Sequence, residues 1–223
     1  MTPHNARRHR HGILVALEGI DGAGKSSLLR TLGRALRRRG YTVRLWHEPV
    51  DRAIGRLAQE AGAHDPWTGA VYFTIDRHLA APRLRADLRR FDVVLSDRSF
   101  YSTVAYQGSR LPARDRARLE QLQEGATVPP DTVLLLDLPL SWLGRRLDRR
   151  GASRGPLERS KSLSAVARAY RTLARQHRWA VLDARQPPNV LLGEALRALG
   201  PWATRTRDRG KTIRATRGPH RPA

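Results

Sequence analysis

Leu14-Val15-Ala16-Leu17-Glu18-Gly19-Ile20-Asp21-Gly22-Ala23-Gly24-Lys25-Ser26-Ser27 is the stretch on which the fold of this chain turns. An apolar run ends in a single glutamate, and Gly19 to Ser26 then fits the pattern G-x-x-x-x-G-K-[ST]. The run before the glycines, Ile13–Leu17, reads as a strand, and residues 25–38 carry helical periodicity. A glycine-rich turn between strand and helix is the setting a phosphate-binding loop needs, because its backbone N–H groups converge on an anion at a helix N-terminus. The composition predicts roughly 0.002 such matches by chance, so residues Gly19–Ser27 are expected to bind ATP. Lys25 is expected to bridge the β- and γ-phosphates, and the Ser26 hydroxyl to ligate Mg²⁺. The loop alone implies only a nucleoside triphosphate, since switches, motors and kinases share it.

Outward from the loop, short apolar runs alternate with amphipathic stretches. Further strands are expected at Thr42–Trp46, Val93–Ser96, Val133–Asp137 and Ala180–Leu182. Helices are expected over 52–62, 67–89, 113–124, 140–149, 161–177 and 189–199. Alternating βα units predict a P-loop NTPase-type three-layer α/β fold, with a mostly parallel five-stranded sheet wrapped by helices. Ligands in such sheets bind at the carboxyl ends of the strands. One folded domain is expected over 12–201. Basic tails lie on either side, at 1–11 and 202–223, and the second reads as disordered.

With 223 residues the chain can bury a substantial core, and it has no cysteine, which excludes disulfides and cysteine-based zinc sites. No apolar stretch approaches the length that spans a bilayer, and the N-terminal apolar run is short for a signal peptide, so a cytoplasmic protein is expected. Lys and Arg number 42 against 20 Asp and Glu, and the only lysines are Lys25, Lys161 and Lys211. A net charge of +22 admits a nucleic-acid partner reached through the basic tails. A solvated arginine-rich surface is the favoured account of it.

Two arginine motifs follow the loop. Val94-Leu95-Ser96-Asp97-Arg98 is an apolar strand ending in Asp-Arg. Asp97 there can hold Mg²⁺ through water, and Arg98 can face a phosphate. Asp137 ends Val133-Leu134-Leu135-Leu136 in the same way and competes for the metal, but no arginine follows it. In the helical stretch 67–89, Phe73 and Arg77 stand four apart and share a face. A ring and a guanidinium so placed can stack a base and fork its phosphate.

With these motifs the chain resembles the thymidylate kinase family over roughly residues 12–190. The likeness rests on Leu17-Glu18 before the loop, Glu48-Pro49, Phe73 with Asp76-Arg77, and Pro130-Asp131-Thr132. It rests above all on the long segment Asp97-Arg98-Ser99-Phe100-Tyr101-Ser102-Thr103-Val104-Ala105-Tyr106-Gln107. The resemblance implies ATP-dependent phosphorylation of dTMP with Mg²⁺, and a homodimer. It implies that Phe73 stacks on thymine and that Arg77 and Arg98 bind the acceptor phosphate. Thr103 would meet the base edge, Tyr106 would crowd the sugar 2′ position, and Asp21 would approach the 3′-hydroxyl. Glu48, Pro49 and Gln107 would line the same pocket. The segment Arg149–Arg159 resembles a mobile lid, and because the loop carries no arginine the lid would supply the catalytic one, from Arg150 or Arg154. Glu158 would orient the acceptor side. The chain departs from the family in having His47 before Glu48-Pro49, Val50-Asp51-Arg52 after it, and a short connection to Phe73.

A nucleotide monophosphate is already largely dianionic at neutral pH, so its attack on ATP needs cations rather than a base. A deoxynucleoside kinase, with Glu48 as base for a 5′-hydroxyl, is the nearest rival reading. A nucleic-acid-associated ATP-binding protein is the second.

Overall fold

The computed structural model describes residues 12–143 and 157–200, with side chains in the second segment from 162 onward. The elements run β1 (Ile13–Glu18), α1 (Lys25–Arg38), β2 (Val43–His47), α2 (Arg52–His64), α3 (Pro66–Arg90), β3 (Val93–Asp97) and α4 (Phe100–Tyr106). A 3₁₀ turn at Gly108–Arg110 leads to α5 (Ala113–Ala126) and β4 (Thr132–Asp137). Then come α6 (Leu157–Gln176), β5 (Ala180–Asp183) and α7 (Pro188–Ala198). All five expected strands form, each within a residue or two of its expected ends. Of the expected helix 140–149, residues 140–143 are helical and the rest lies outside the described residues.

The strands make one parallel sheet in the order β2-β3-β1-β4-β5. The chain leaves β1 toward one side and later crosses it to the other, so the reversal of strand order falls at the end of β1, where the loop emerges. Register puts Leu17 beside both Asp97 and Leu134, so the loop, Asp97 and the end of β4 share one edge. Asp131 holds this alignment from below: its Oδ2 accepts from Leu14 N at 2.8 Å, and its own N–H donates to Leu14 O at 2.8 Å.

Side chains alternate between the faces of the sheet. Val15, Leu17, Val93 and Leu95 pack with Leu29, Leu32 and Leu36 of α1, and with Leu191, Ala195 and Leu196 of α7. Leu14, Trp46 and Val94 turn the other way, onto Leu84 and Leu88 of α3. Strands covered on both faces are apolar throughout, which is why they are legible as continuous runs.

Helix α4 is the element the periodicity does not predict. It has seven residues and six of them are buried, so no polar face marks it. Its start is set by Ser99, whose side chain accepts from Tyr101 N at 3.3 Å. Helices α2 and α3 start on aspartate caps, Asp51 and Asp65. Between them Gly62 and Gly69 meet: a Cβ on Gly69 would stand 2.5 Å from Gly62 Cα. Because that contact is with backbone, Gly69→Ala must push the two helices apart. The expected cost is about 1–3 kcal/mol, read as a fall in Tm of about 3–10 °C. An unchanged melting curve would show that the helices re-pack freely.

Candidate active site

Gly19 takes φ +138°, and a Cβ there would lie 2.5 Å from Leu136 O, so only glycine lets the chain turn so close to β4. Gly24 takes φ +104° at the N-cap of α1 and carries the chain into the helix. The Lys25 ammonium is buried over the turn, donating to Gly19 O at 2.9 Å and Ile20 O at 3.1 Å. Burial, reinforced by the charge of Arg98, pulls its pKa down to about 8, against the pull of Asp21, Asp97 and Glu18.

Ser26 Oγ donates to Asp97 Oδ2 at 2.5 Å. The two residues expected at a metal thus stand together, although they are 71 positions apart. Asp137, the competing carboxylate, is held by Arg171 Nε at 2.9 and 3.1 Å instead. His47 stands with Nδ1 3.9 Å from Asp97 Oδ2.

Arg98 follows at φ +80°, a disfavoured backbone for a non-glycine residue. Two hydrogen bonds hold it there, Arg98 N–H to Leu17 O at 3.0 Å and Ser96 Oγ to Arg98 O at 2.6 Å. The guanidinium donates through Nη2 to Asp21 Oδ1 at 2.5 Å and to Tyr106 OH at 3.4 Å. Through Nη1 it donates to Ser102 Oγ at 2.9 Å and Tyr170 OH at 3.3 Å. Burial opposes its charge, but Tyr170, Tyr106, Asp21 and Glu18 outweigh that and hold its pKa well above the ordinary arginine value. Asp21 is pushed up by its surroundings and pulled down more strongly by Arg98 and Lys25, so it stays ionised below the usual carboxylate range. Tyr106 OH accepts from Asp21 N at 3.1 Å and donates to Asp21 Oδ2 at 3.2 Å. Burial pushes its own pKa up to about 12, so it remains a phenol.

A second arginine lies deeper. Arg77 donates through Nε to Glu48 Oε2 at 2.6 Å, through Nη1 to Thr103 Oγ1 at 2.8 Å, and through Nη2 to Ser99 O at 3.0 Å. Burial pushes the Glu48 carboxyl up, and Arg77 pulls it back. Asp76, on the same helix, accepts from Val50 N at 2.8 Å and Asp51 N at 2.7 Å. Those are backbone bonds, so the changed side chains at 50 and 51 leave the grip on this loop intact.

Together these residues line a cavity of about 440 Å³, with Asp21, Glu48, Pro49, Phe73, Arg77, Arg98, Thr103, Tyr106 and Gln107 on its walls. The structure thus brings together nine residues that the sequence places around the acceptor. One end of the Gln107 amide, Oε1, is buried without a partner among the described residues. A larger groove of about 640 Å³ runs between α5 and α6, away from the loop, and contains none of them. The lid candidates Arg150 and Arg154 lie outside the described residues. Glu158 falls in the first turn of α6, with its side chain outside them too. Among the described residues no cluster of three or more His, Asp or Glu gathers, and no helix is long and apolar enough to cross a membrane.

Sequence reasoning passed over several residues that complete the site. Gln59, Gly62, Arg110 and Ser162 also line the cavity. Gln123 is fully buried and donates to Thr74 Oγ1 at 2.5 Å, beside Arg77. It stands four residues from Leu119 on the buried face of α5, and a polar residue on an apolar stripe is a signal that periodicity could have caught. Ser102 and Tyr170 carried no such signal.

The Lys25 pKa sets a pH dependence. A lysine lowered to about 8 is charged below that pH and neutral above it, whereas binding to phosphates needs the ammonium. Nucleotide binding at pH 9 should therefore take up close to one proton, and affinity should weaken as pH rises through 8. Calorimetric titration with ADP in two buffers of different ionisation enthalpy measures this. Uptake that is the same at pH 7.5 and 9, or that survives in Lys25→Met, would refute it.

Comparison with known proteins places this geometry. A thymidylate kinase from Desulfovibrio desulfuricans is 36% identical over 219 residues, spanning 89% of this chain and 99% of that protein. Probable thymidylate kinases from Sulfurisphaera tokodaii and Metallosphaera sedula are also similar. The first is 34% identical over 170 residues (76% of this chain, 86% of the relative). The second is 32% identical over 197 residues (88% and 97%). The family model for thymidylate kinase matches residues 17–194, from the last residues of β1 into α7, and the chain belongs to that family.

Proposed function

We propose that this protein transfers the γ-phosphoryl group of ATP to dTMP. The bond between Pγ and the β,γ-bridging oxygen breaks, and a dTMP phosphate oxygen joins Pγ, giving ADP and dTDP. One observation carries the reading: Arg98 and Asp21 tie the phosphate-binding loop directly to the wall of the 440 Å³ cavity that holds Phe73, Thr103 and Gln107. A donor phosphate on the loop and a nucleotide in that cavity would meet at Arg98. The kinases to which this chain is similar are named for the same acceptor.

The contacts divide the work between the arginines. Arg98, on the loop side, suits the acceptor phosphate. Arg77 is neutralised by Glu48 and bonded to Thr103, so it suits the base edge better than the phosphate role that the resemblance implies. Phe73 offers the stacking face. The buried Gln107 Oε1 can accept from the one N–H on thymine's pairing edge. Tyr106 and Asp21, in mutual contact, would face the deoxyribose. The pairing of Glu48 with Arg77 at 2.6 Å also argues against its serving as a free base for a nucleoside hydroxyl.

Ser26 and Asp97 form a hard-oxygen pair that fits Mg²⁺, a cation usually held by one or two protein oxygens together with substrate phosphates. When bound it would neutralise charge on the β- and γ-phosphates. Lys25 adds a cation at the same phosphates, and Arg150 or Arg154 would add another from the lid.

Following ADP release with dTMP, dUMP, dCMP, UMP or thymidine tests the reading. Turnover should be fastest with dTMP, and Arg98→Ala should lower kcat/KM by about 10²–10³-fold. Turnover with thymidine but not dTMP would transfer the proposal to a nucleoside kinase.

We further infer a homodimer built on α3. Val71, Ile75 and Leu79 recur every four residues and form one exposed apolar stripe, with Leu79 65% exposed. Leu57 of α2 and Leu122 of α5 are exposed as well. Leu79→Glu should shift the mass measured by light scattering from two chains to one. A wild-type protein that is already monomeric at micromolar concentration removes this inference.

A further inference from the structure

Glu18 ends β1 with no solvent exposure, and it is not among the residues lining the cavity. Its carboxylate nevertheless accepts four hydrogen bonds. Oε1 takes Ser99 N at 2.8 Å and Ser99 Oγ at 2.7 Å, and Oε2 takes Ser102 Oγ at 2.7 Å and Tyr170 OH at 2.9 Å. Ser102 and Tyr170 are the two acceptors of Arg98 Nη1. We propose that Glu18 is the positioning residue for Arg98, acting through the hydroxyls of Ser102 and Tyr170.

The argument is one of hydrogen direction. An ionised carboxylate can only accept. Ser102 Oγ and Tyr170 OH also lie 2.9 Å from each other, but each hydroxyl has one hydrogen, and the carboxylate oxygen at 2.7 and 2.9 Å is the stronger acceptor for both. Their lone pairs are then left facing Nη1, whose two hydrogens meet one oxygen each. The negative charge reaches Arg98 at one remove, polarising two neutral acceptors rather than forming an ion pair. A direct pair with a buried carboxylate would hold the guanidinium away from a phosphate. Two polarised hydroxyls fix Nη1 and leave the Nη2 side directed at Asp21 and the cavity. Next to Arg98, whose φ is +80°, Ser99 binds Oε1 directly, while Arg98 reaches the Oε2 side through Ser102 and Tyr170.

Glu18→Gln keeps the shape and reverses the hydrogens. The Ser99 N–H requires an acceptor, so the amide oxygen must sit at the Oε1 position. Its NH₂ then faces Ser102 and Tyr170, which accept from it; one hydroxyl can donate to the other across their 2.9 Å contact, and the hydrogen left over turns toward Arg98. The effect should appear in two measurements. In side-chain ¹⁵N spectra, Arg98 Nη resonances should be resolved in the wild type, where rotation about Cζ–Nη1 is held, and averaged in Glu18→Gln. Peak assignment uses Arg98→Lys. In kinetics, which rest on the phosphoryl transfer proposed above, kcat should fall about ten- to hundredfold with KM for ATP within about twofold. In an Arg98→Ala background the same change should cost less than about threefold. Tyr170→Phe, which keeps the ring, should produce a smaller loss of the same kind and serves if Glu18→Gln fails to fold.

Resolved Nη resonances that persist in Glu18→Gln, or in Tyr170→Phe if that variant stands in, overturn the proposal. So does an unchanged kcat, or a rise in ATP KM that matches the loss. If the wild type shows no turnover with dTMP, the functional reading fails, and the spectra still decide whether Glu18 holds Arg98.

Discussion

A carboxylate buried without solvent must be fully hydrogen-bonded, and Glu18 meets that demand with groups from two other helical elements. It lies at the end of the central strand. Ser99 and Ser102 bring the start of α4 to it, and Tyr170 brings α6. Removing any one partner would leave part of a buried charge without its hydrogen bond. The position of α4 relative to the phosphate-binding loop is therefore set by electrostatics as much as by packing, and α4 carries Thr103 and Tyr106 into the cavity.

Arg77 and Glu48 repeat the arrangement with reversed charge. A buried guanidinium at the floor of the cavity is balanced by one carboxylate and then distributed over Thr103, Ser99 and Gln123. Such a pair contributes little net stability, because desolvation offsets most of its attraction. What it adds is geometry. It joins α3, the loop after β2, α4 and α5 at one point on the wall of the cavity. Two polar networks, one around Arg98 and one around Arg77, border the cavity.

The departures around Glu48-Pro49 are read in the same terms. Asp76 holds this loop through backbone N–H groups, and Asp51 caps α2 through Ala53 N at 2.7 Å. Val50 and Asp51 thus replace the family's residues without loosening the loop. His47 brings an imidazole near Asp97.

Much of the architecture was legible before any coordinates. Strands covered on both faces read as apolar runs, amphipathic helices read as periodic ones, and Gly19–Ser26 announced its loop through backbone chemistry that only glycine allows. Phe73, Arg77, Asp97 and Arg98 were readable because each sits at a set offset in a local motif. Helix α4 was not legible, since a helix buried on all sides shows no period. Nor did local pattern show that Ser26 meets Asp97, that Asp137 is occupied by Arg171, or that Arg77 is paired with Glu48. The sequence by itself determined the parallel sheet, the phosphate-binding loop and which residues could carry the chemistry. Tertiary structure alone decided which carboxylate faces which cation, because hydrogen-bond partners separated by tens of residues are chosen by how strands register and helices pack, and no spacing along the chain records that choice.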